Sequence, residues 1–181
     1  MVIQLDTRSI LVRIDKFLKI KESSVGDPDI YSGAKLKKLH MDNDVWCWSI
    51  SPSKYVQEVV RNCQKYLKEN LSDEYELIAN APKLFPLGYE PCMYVYPLLL
   101  HDEESYFQTI IDVMRWMVDL VKIEISVEVS HLSSFLTMPR QGHLVNALHI
   151  MSYLKINHKS RLVLDPSYPG IYMFEFKSND N

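Results

Sequence analysis

Ile30-Tyr31-Ser32-Gly33-Ala34-Lys35-Leu36-Lys37-Lys38-Leu39, then Met41-Asp42-Asn43-Asp44, then Val45-Trp46-Cys47-Trp48-Ser49-Ile50 is the stretch that decides the fold. Two β-prone runs flank a short loop of Asp and Asn, residues that favor turns because their side chains bond nearby backbone. The reading is an antiparallel hairpin that pairs about 34–40 with 45–50 and turns at Asp42–Asp44. Alternation puts Val45, Cys47 and Ser49 on one face and Trp46, Trp48 and Ile50 on the other. A lone hairpin is not stable in water, so a face with two tryptophans must press on core, a neighboring domain or a ligand.

Downstream, Ser51-Pro52 supplies a helix cap and a first-turn proline. Tyr55, Val56, Val59, Val60, Cys63, Tyr66 and Leu67 follow at helical spacing, which predicts an amphipathic helix over about 52–70. Upstream, Thr7 caps a helix whose apolar face is Ile10, Leu11, Ile14, Phe17 and Leu18. Residues 78–104 carry Pro82, Pro86, Pro91, Pro97 and Gly88, and read as an extended Pro-rich linker.

His101-Asp102-Glu103-Glu104-Ser105 then opens a helix with acidic residues that suit its N-terminal dipole. From Tyr106 to Val121 it is apolar almost all round. The exception is one charged stripe of Gln108, Asp112, Arg115, Asp119 and Lys122, able to pair along the surface. Such a helix belongs at the center of a bundle. Further helices are expected over about 124–136, ended by Pro139, and about 142–155, with short β-prone runs at Leu162–Leu164 and Ile171–Phe174. The fold class is α+β, mostly helical. Its parts are 1–77 (a first helix, the hairpin and the helix after it), the linker 78–104, a helical region 105–160, and short strands in 161–181.

With 47% apolar and 24% charged residues, the 181-residue chain can build one sizeable core. Three cysteines without CxxC spacing argue against a disulfide framework or a zinc knuckle. The start has no secretory pattern and no apolar run approaches a membrane span, so the expected setting is intracellular, cytoplasmic or nuclear. Residues 1–70 hold 12 Lys and Arg against 9 Asp and Glu, whereas 71–181 hold 8 against 14. A mildly basic first part can face phosphates, but it lacks the dense charge of a free-standing nucleic-acid binder.

There is no Asp-Asp dipeptide and no Tyr-x-Asp-Asp. Asp27-Pro28-Asp29 and Asp42-Asn43-Asp44 fit turn chemistry better than metal binding. Glu124 and Glu128, four residues apart, fit a solvated face. The six histidines form no HExxH, and neither a GxSxG elbow nor a Gly-rich phosphate loop is present. What survives is a binding surface. Lys35, Lys37, Lys38 and Lys54 with Trp46 and Trp48 combine cations and aromatics as single-strand or primer contacts do. The plainer reading is that the lysine-rich strand guards an edge and both tryptophans are core.

Several strings resemble the downstream part of the reverse transcriptase of copia-type retrotransposons. These are Val25-Gly26-Asp27-Pro28-Asp29-Ile30-Tyr31, Gly33-Ala34-Lys35-Leu36, Lys54-Tyr55-Val56, and Ser105-Tyr106-Phe107 through Val118. Leu132-Ser133-Ser134-Phe135-Leu136-Thr137-Met138-Pro139, Gly142-His143 and Tyr153-Leu154-Lys155 complete the set. The order covers about residues 10–165. The resemblance implies that residues 30–50 are a hairpin like a primer grip, that the next helix starts a thumb, and that the end leads toward an RNase H domain. It implies RNA-directed DNA synthesis by the parent polyprotein and template–primer nucleic acid as the partner. The catalytic aspartates have no counterpart here, so no catalysis is expected from this chain and no cofactor in it; magnesium would belong to the catalytic domain. Two departures stand out. Ser32 replaces a bulky apolar residue before the glycine, and Val121-Lys122-Ile123-Glu124-Ile125 replaces Thr-Arg-Pro-Asp-Ile, losing a helix-breaking proline. The alternative class is a helical protein-interaction module that docks through the tryptophan hairpin and the apolar helix 106–121.

Overall fold

A computed structural model describes residue 14, residues 26–42, 44–71 and 75–84, and residues 96–165. The helix expected around Thr7–Leu18 lies outside the described residues, apart from Ile14. So do Cys92 and the run Ile171–Phe174. The chain is α+β, with a four-stranded antiparallel sheet and four α-helices among the described residues.

The sheet is a meander in chain order: β1 (Ile30–Tyr31), β2 (Ala34–His40), β3 (Trp46–Ser51) and β4 (Leu162–Leu164). The β2–β3 hairpin pairs Lys35 with Ser51 through to His40 with Trp46. Its loop closes by Met41 N–H donating to the Val45 carbonyl at 2.9 Å and Asp44 N–H donating to Met41 at 3.0 Å. Asp44 sits at φ 63°, a left-handed conformation that Asp tolerates better than most residues. β1 and β2 form a second, tighter hairpin around Ser32 (φ 50°) and Gly33 (φ 93°). Two central residues with positive φ are what a two-residue hairpin of the primed kind requires. Ser32 therefore has a local reason: a bulky or β-branched residue would be strained there.

α1 (Ser53–Asn70) follows with only Pro52 between it and β3. The expected Ser51 cap does not form. Ser51 ends the strand, and the Pro52 carbonyl accepts from Val56 N–H at 2.9 Å to start the helix. α2 (His101–Asp119) begins with Glu103 accepting the Leu100 N–H at 2.9 Å. A 3₁₀ turn (Ile123–Ile125) leads into α3 (Ser126–Ser133), shorter than the expected 124–136 helix, and α4 (Gln141–Ile156) ends the bundle.

The helices share one core. α1 buries Val56, Val60, Cys63 and Leu67; α2 buries Phe107, Ile111, Met114 and Met117 completely; α3 adds Val129 and Leu132; α4 adds Leu144, Ile150, Met151 and Leu154. Each large apolar side chain so buried stabilises by about 1.5–3 kcal/mol before entropy is counted. α2 is central, as its nearly all-round apolar character predicts. The described parts of 78–104 before α2 have no regular structure, yet they are pinned along α4. Ile78 N–H donates to Ser152 Oγ at 2.9 Å, Lys83 O lies 2.9 Å from His149 Nε2, and Leu98 bridges Arg140.

The end of α2 corrects the charged stripe. Asp112 and Arg115 do approach, at 3.9 Å, but Lys122 is fully buried. Lys122 N–H reaches back to the Met117 carbonyl (2.8 Å) and Val121 N–H to Val118 (3.0 Å), the two-bond closure of a Schellman motif. Val121 takes the left-handed position at φ 106°, where glycine is usual. The helix thus stops without a proline, and the closure turns Lys122 inward.

Candidate nucleic-acid interface

Strand alternation divides the six residues of the expected interface. In the β2–β3 register, Lys38 faces Trp48 and His40 faces Trp46, so these four share one face with Leu36 and Ile50. Lys35 and Lys37 stand on the opposite face, with Leu39, Cys47 and Ser49. Lys54 is exposed in the first turn of α1. The period-2 signal that separates the lysines is present in the sequence, and grouping them by proximity overlooked it.

The tryptophan face is the outer one. Trp46 is 63% exposed and Trp48 half-buried, whereas Cys47 and Ser49 are buried. This overturns the expectation that both tryptophans are core. On the inner face Cys47 Sγ donates to Leu39 O at 3.6 Å and Ser49 Oγ to Lys37 O at 3.3 Å, which satisfies polar groups that would otherwise be buried unpaired. β2 is covered by β1 only near Ala34 and Lys35, so the edge-guarding role for Lys37 and Lys38 fits the geometry.

Each ring of the outer face has a basic neighbor. Lys38 Nζ lies 5.1 Å from the Trp48 ring center, within cation–π range. The His40 ring lies 4.7 Å from Trp46, tilted by 53°. Each base also has a carboxylate: Lys38 Nζ to Asp27 Oδ2 at 2.6 Å, and His40 Nε2 to Asp44 Oδ1 at 2.8 Å. These aspartates serve the hairpin, which answers why Asp sits at 27 and 44. Among the described residues no group of three or more His, Cys, Asp or Glu could hold a metal.

Two features of the bundle go beyond the solvated face expected for Glu124 and Glu128. Glu124 lies in the 3₁₀ turn, not in α3, and binds Lys122; with Glu128 it still acts on one side chain, Tyr153, whose pKa burial and then both carboxylates raise. Glu128 and His131 stand at Glu-x-x-His spacing on α3, a signal that was there to be read, and Glu128 Oε2 is buried without a hydrogen-bond partner. Nearby, the His143 ring stacks on Phe135 at 4.1 Å, and His131 meets Phe135 edge-on at 5.3 Å. His143 Nδ1 accepts the Arg140 N–H at 3.0 Å at the start of α4. Burial first, then the charges of Arg140 and His131, hold its pKa below the usual histidine value. A cleft of about 350 Å³ is lined by Arg115, Val118, Asp119, Ser126, Val129 and Ser130 of α2 and α3.

No described helix is long and apolar enough to cross a membrane. No family model matches the chain, and no curated protein or solved structure does either.

Proposed function

We propose that this chain is the downstream part of a copia-type reverse transcriptase, holding template–primer nucleic acid and carrying out no polymerization by itself. The observation that supports the reading is the β2–β3 hairpin running through Pro52 directly into α1 and then into a helical bundle. That is the order of a primer-grip hairpin, thumb and connection that the sequence resemblance implies. Two-metal phosphoryl transfer needs carboxylates free to hold both ions. This sequence has no Asp-Asp dipeptide and no Tyr-x-Asp-Asp to supply them.

Template–primer binding should be weak, near the nonspecific range of about 10⁻⁴–10⁻⁶ M, and should fall steeply with salt because few phosphates are neutralized. The test is fluorescence anisotropy with a labeled template–primer at low and at raised salt. Binding that is absent at low salt would overturn the reading. Primer extension with magnesium or manganese should stay at background. The interaction-module alternative is less favored by α2, which places most of its apolar residues in the chain's own core, although Trp116 stays exposed.

A further inference from the structure

We infer that the outer face of the sheet is a stacking platform for single-stranded nucleic acid, with Trp46 and Trp48 as base contacts and Lys38 and His40 as phosphate contacts. The inference rests on the proposed nucleic-acid reading and deepens it by naming the face, the strandedness and the residues. Trp46 and Trp48 are two residues apart on β3, which spaces their side chains by roughly 6.8 Å along one face. That suits successive bases of an extended single strand. Directly across on β2 stand His40 and Lys38. The His40 ring tilts against Trp46, and the Lys38 ammonium lies over the half-buried Trp48 ring, so Lys38 must swing to a phosphate before a base stacks on Trp48. A single strand presents the matching alternation of flat bases and anionic phosphates.

The face is open at its Trp46 end, and Trp48 is half-buried. Trp46 is 63% exposed and Leu164, at the other side of β3, is 49% exposed. The aspartates now on the two basic groups are themselves exposed: the Asp27 side chain to 72% and Asp44 to 91%. Exposed polar contacts of this kind contribute little to stability, so a phosphate oxygen can take the place of either carboxylate. A duplex is a poor fit, since its bases are already stacked on one another and present no free face to the rings. Lys35 and Lys37, on the opposite face, are outside the platform.

The experiment is a low-salt titration of the whole chain with an oligothymidylate, an abasic strand of equal length, a blunt duplex and a template–primer. Anisotropy and quenching of tryptophan fluorescence are the readouts. Expected are quenching by the oligothymidylate and weaker binding of the abasic strand. Trp46→Ala should lose roughly 5- to 150-fold in affinity, while Lys35→Ala/Lys37→Ala should cost base-bearing and abasic strands alike, through general phosphate attraction only. Trp46 is exposed enough that its loss should not unfold the chain, and the abasic strand tests the same point on the wild-type protein.

Equal affinity for the abasic and base-bearing strands would overturn the platform. So would template–primer binding that depends on Lys35 and Lys37 but not on Trp46, which would leave the broader reading standing. Trp46-dependent single-strand binding with no template–primer binding would uphold the platform and sink the polymerase reading. No binding of any strand would end both.

Discussion

Lys122 Nζ lies 3.0 Å from Glu124 Oε1, and the ammonium side chain is completely buried while the carboxylate side chain is 31% exposed. The same ammonium is 2.5 Å from both the Asn157 carbonyl oxygen and Ser160 Oγ, and Ser160 Oγ in turn lies 3.0 Å from Glu124. One cation thus joins the α2–α3 junction to the segment that leaves α4 for β4. Ser53 Oγ and Gln57 Nε2 contact His158 of that segment from the side of α1.

Lys122→Met keeps most of the volume but strips the ammonium from the Asn157 carbonyl and leaves Glu124 with the Ser160 hydroxyl alone. Because Glu124 can turn toward water, the loss should be about 1–3 kcal/mol, below the 3–5 kcal/mol of a fully enclosed pair. Urea denaturation of the two proteins checks this. An unchanged midpoint would mean the network contributes nothing.

Val121→Gly should stabilise the protein by about 1 kcal/mol. Glycine relieves the left-handed strain at φ 106° in the Schellman closure, partly offset by a more flexible unfolded chain and the lost half-buried side chain. A lower melting temperature would show that the valine packing outweighs the strain.

Stability should decline as pH falls below about 6.5. His143 has a folded pKa below its unfolded value, so in that window the unfolded chain binds more protons and acid favors unfolding. The contribution is fully present above the unfolded value and is lost as pH drops through the window toward the folded pKa. His158, lowered by partial desolvation and by Lys159 and Lys122, acts in the same direction. His143→Gln should flatten the stability profile between neutral and mildly acidic pH; a profile identical to wild type would assign the slope to other groups.

Gly33→Ala should destabilise by about 1 kcal/mol or somewhat more, through conformation and not through space. An added Cβ would sit 3.4 Å from Tyr55 Cδ2, an ordinary contact, but φ 93° is a conformation alanine rarely adopts. Thermal melts compared with Gly26→Ala, where nothing lies within 4 Å, isolate the effect.

The β2–β3 hairpin was legible because alternation, strand propensity and an Asx-rich loop agree at residues 34–50. The apolar face of α1 was legible for the same reason. What covers each sheet face was not, because period 2 separates two faces without saying which is inner; Cys47 and Ser49 were buried and the tryptophans left outside. Lys122 was misplaced since the helical pattern runs on past Asp119, and a valine gives no stop signal where glycine would. The segment before α2 packs through scattered side chains, Tyr75 and Leu99 in the core with Leu77 and Leu84 against it, and through single contacts such as Ile78 to Ser152; neither leaves a periodic trace.

β3 gains its second neighbor late. Ile50, Ser49 and Trp48 pair with Leu162, Val163 and Leu164, contributed by the chain only after all four helices. During synthesis the hairpin therefore emerges early and waits with one side of β3 unpaired, a long-range pairing that forms slowly. The waiting segment Val45–Ile50 is apolar, uncharged and free of proline, the composition of strands that pair with other molecules. A truncation product ending at Ser160 or Arg161 would retain α1 to α4 and the partners of Lys122 yet expose that strand, and should aggregate through it.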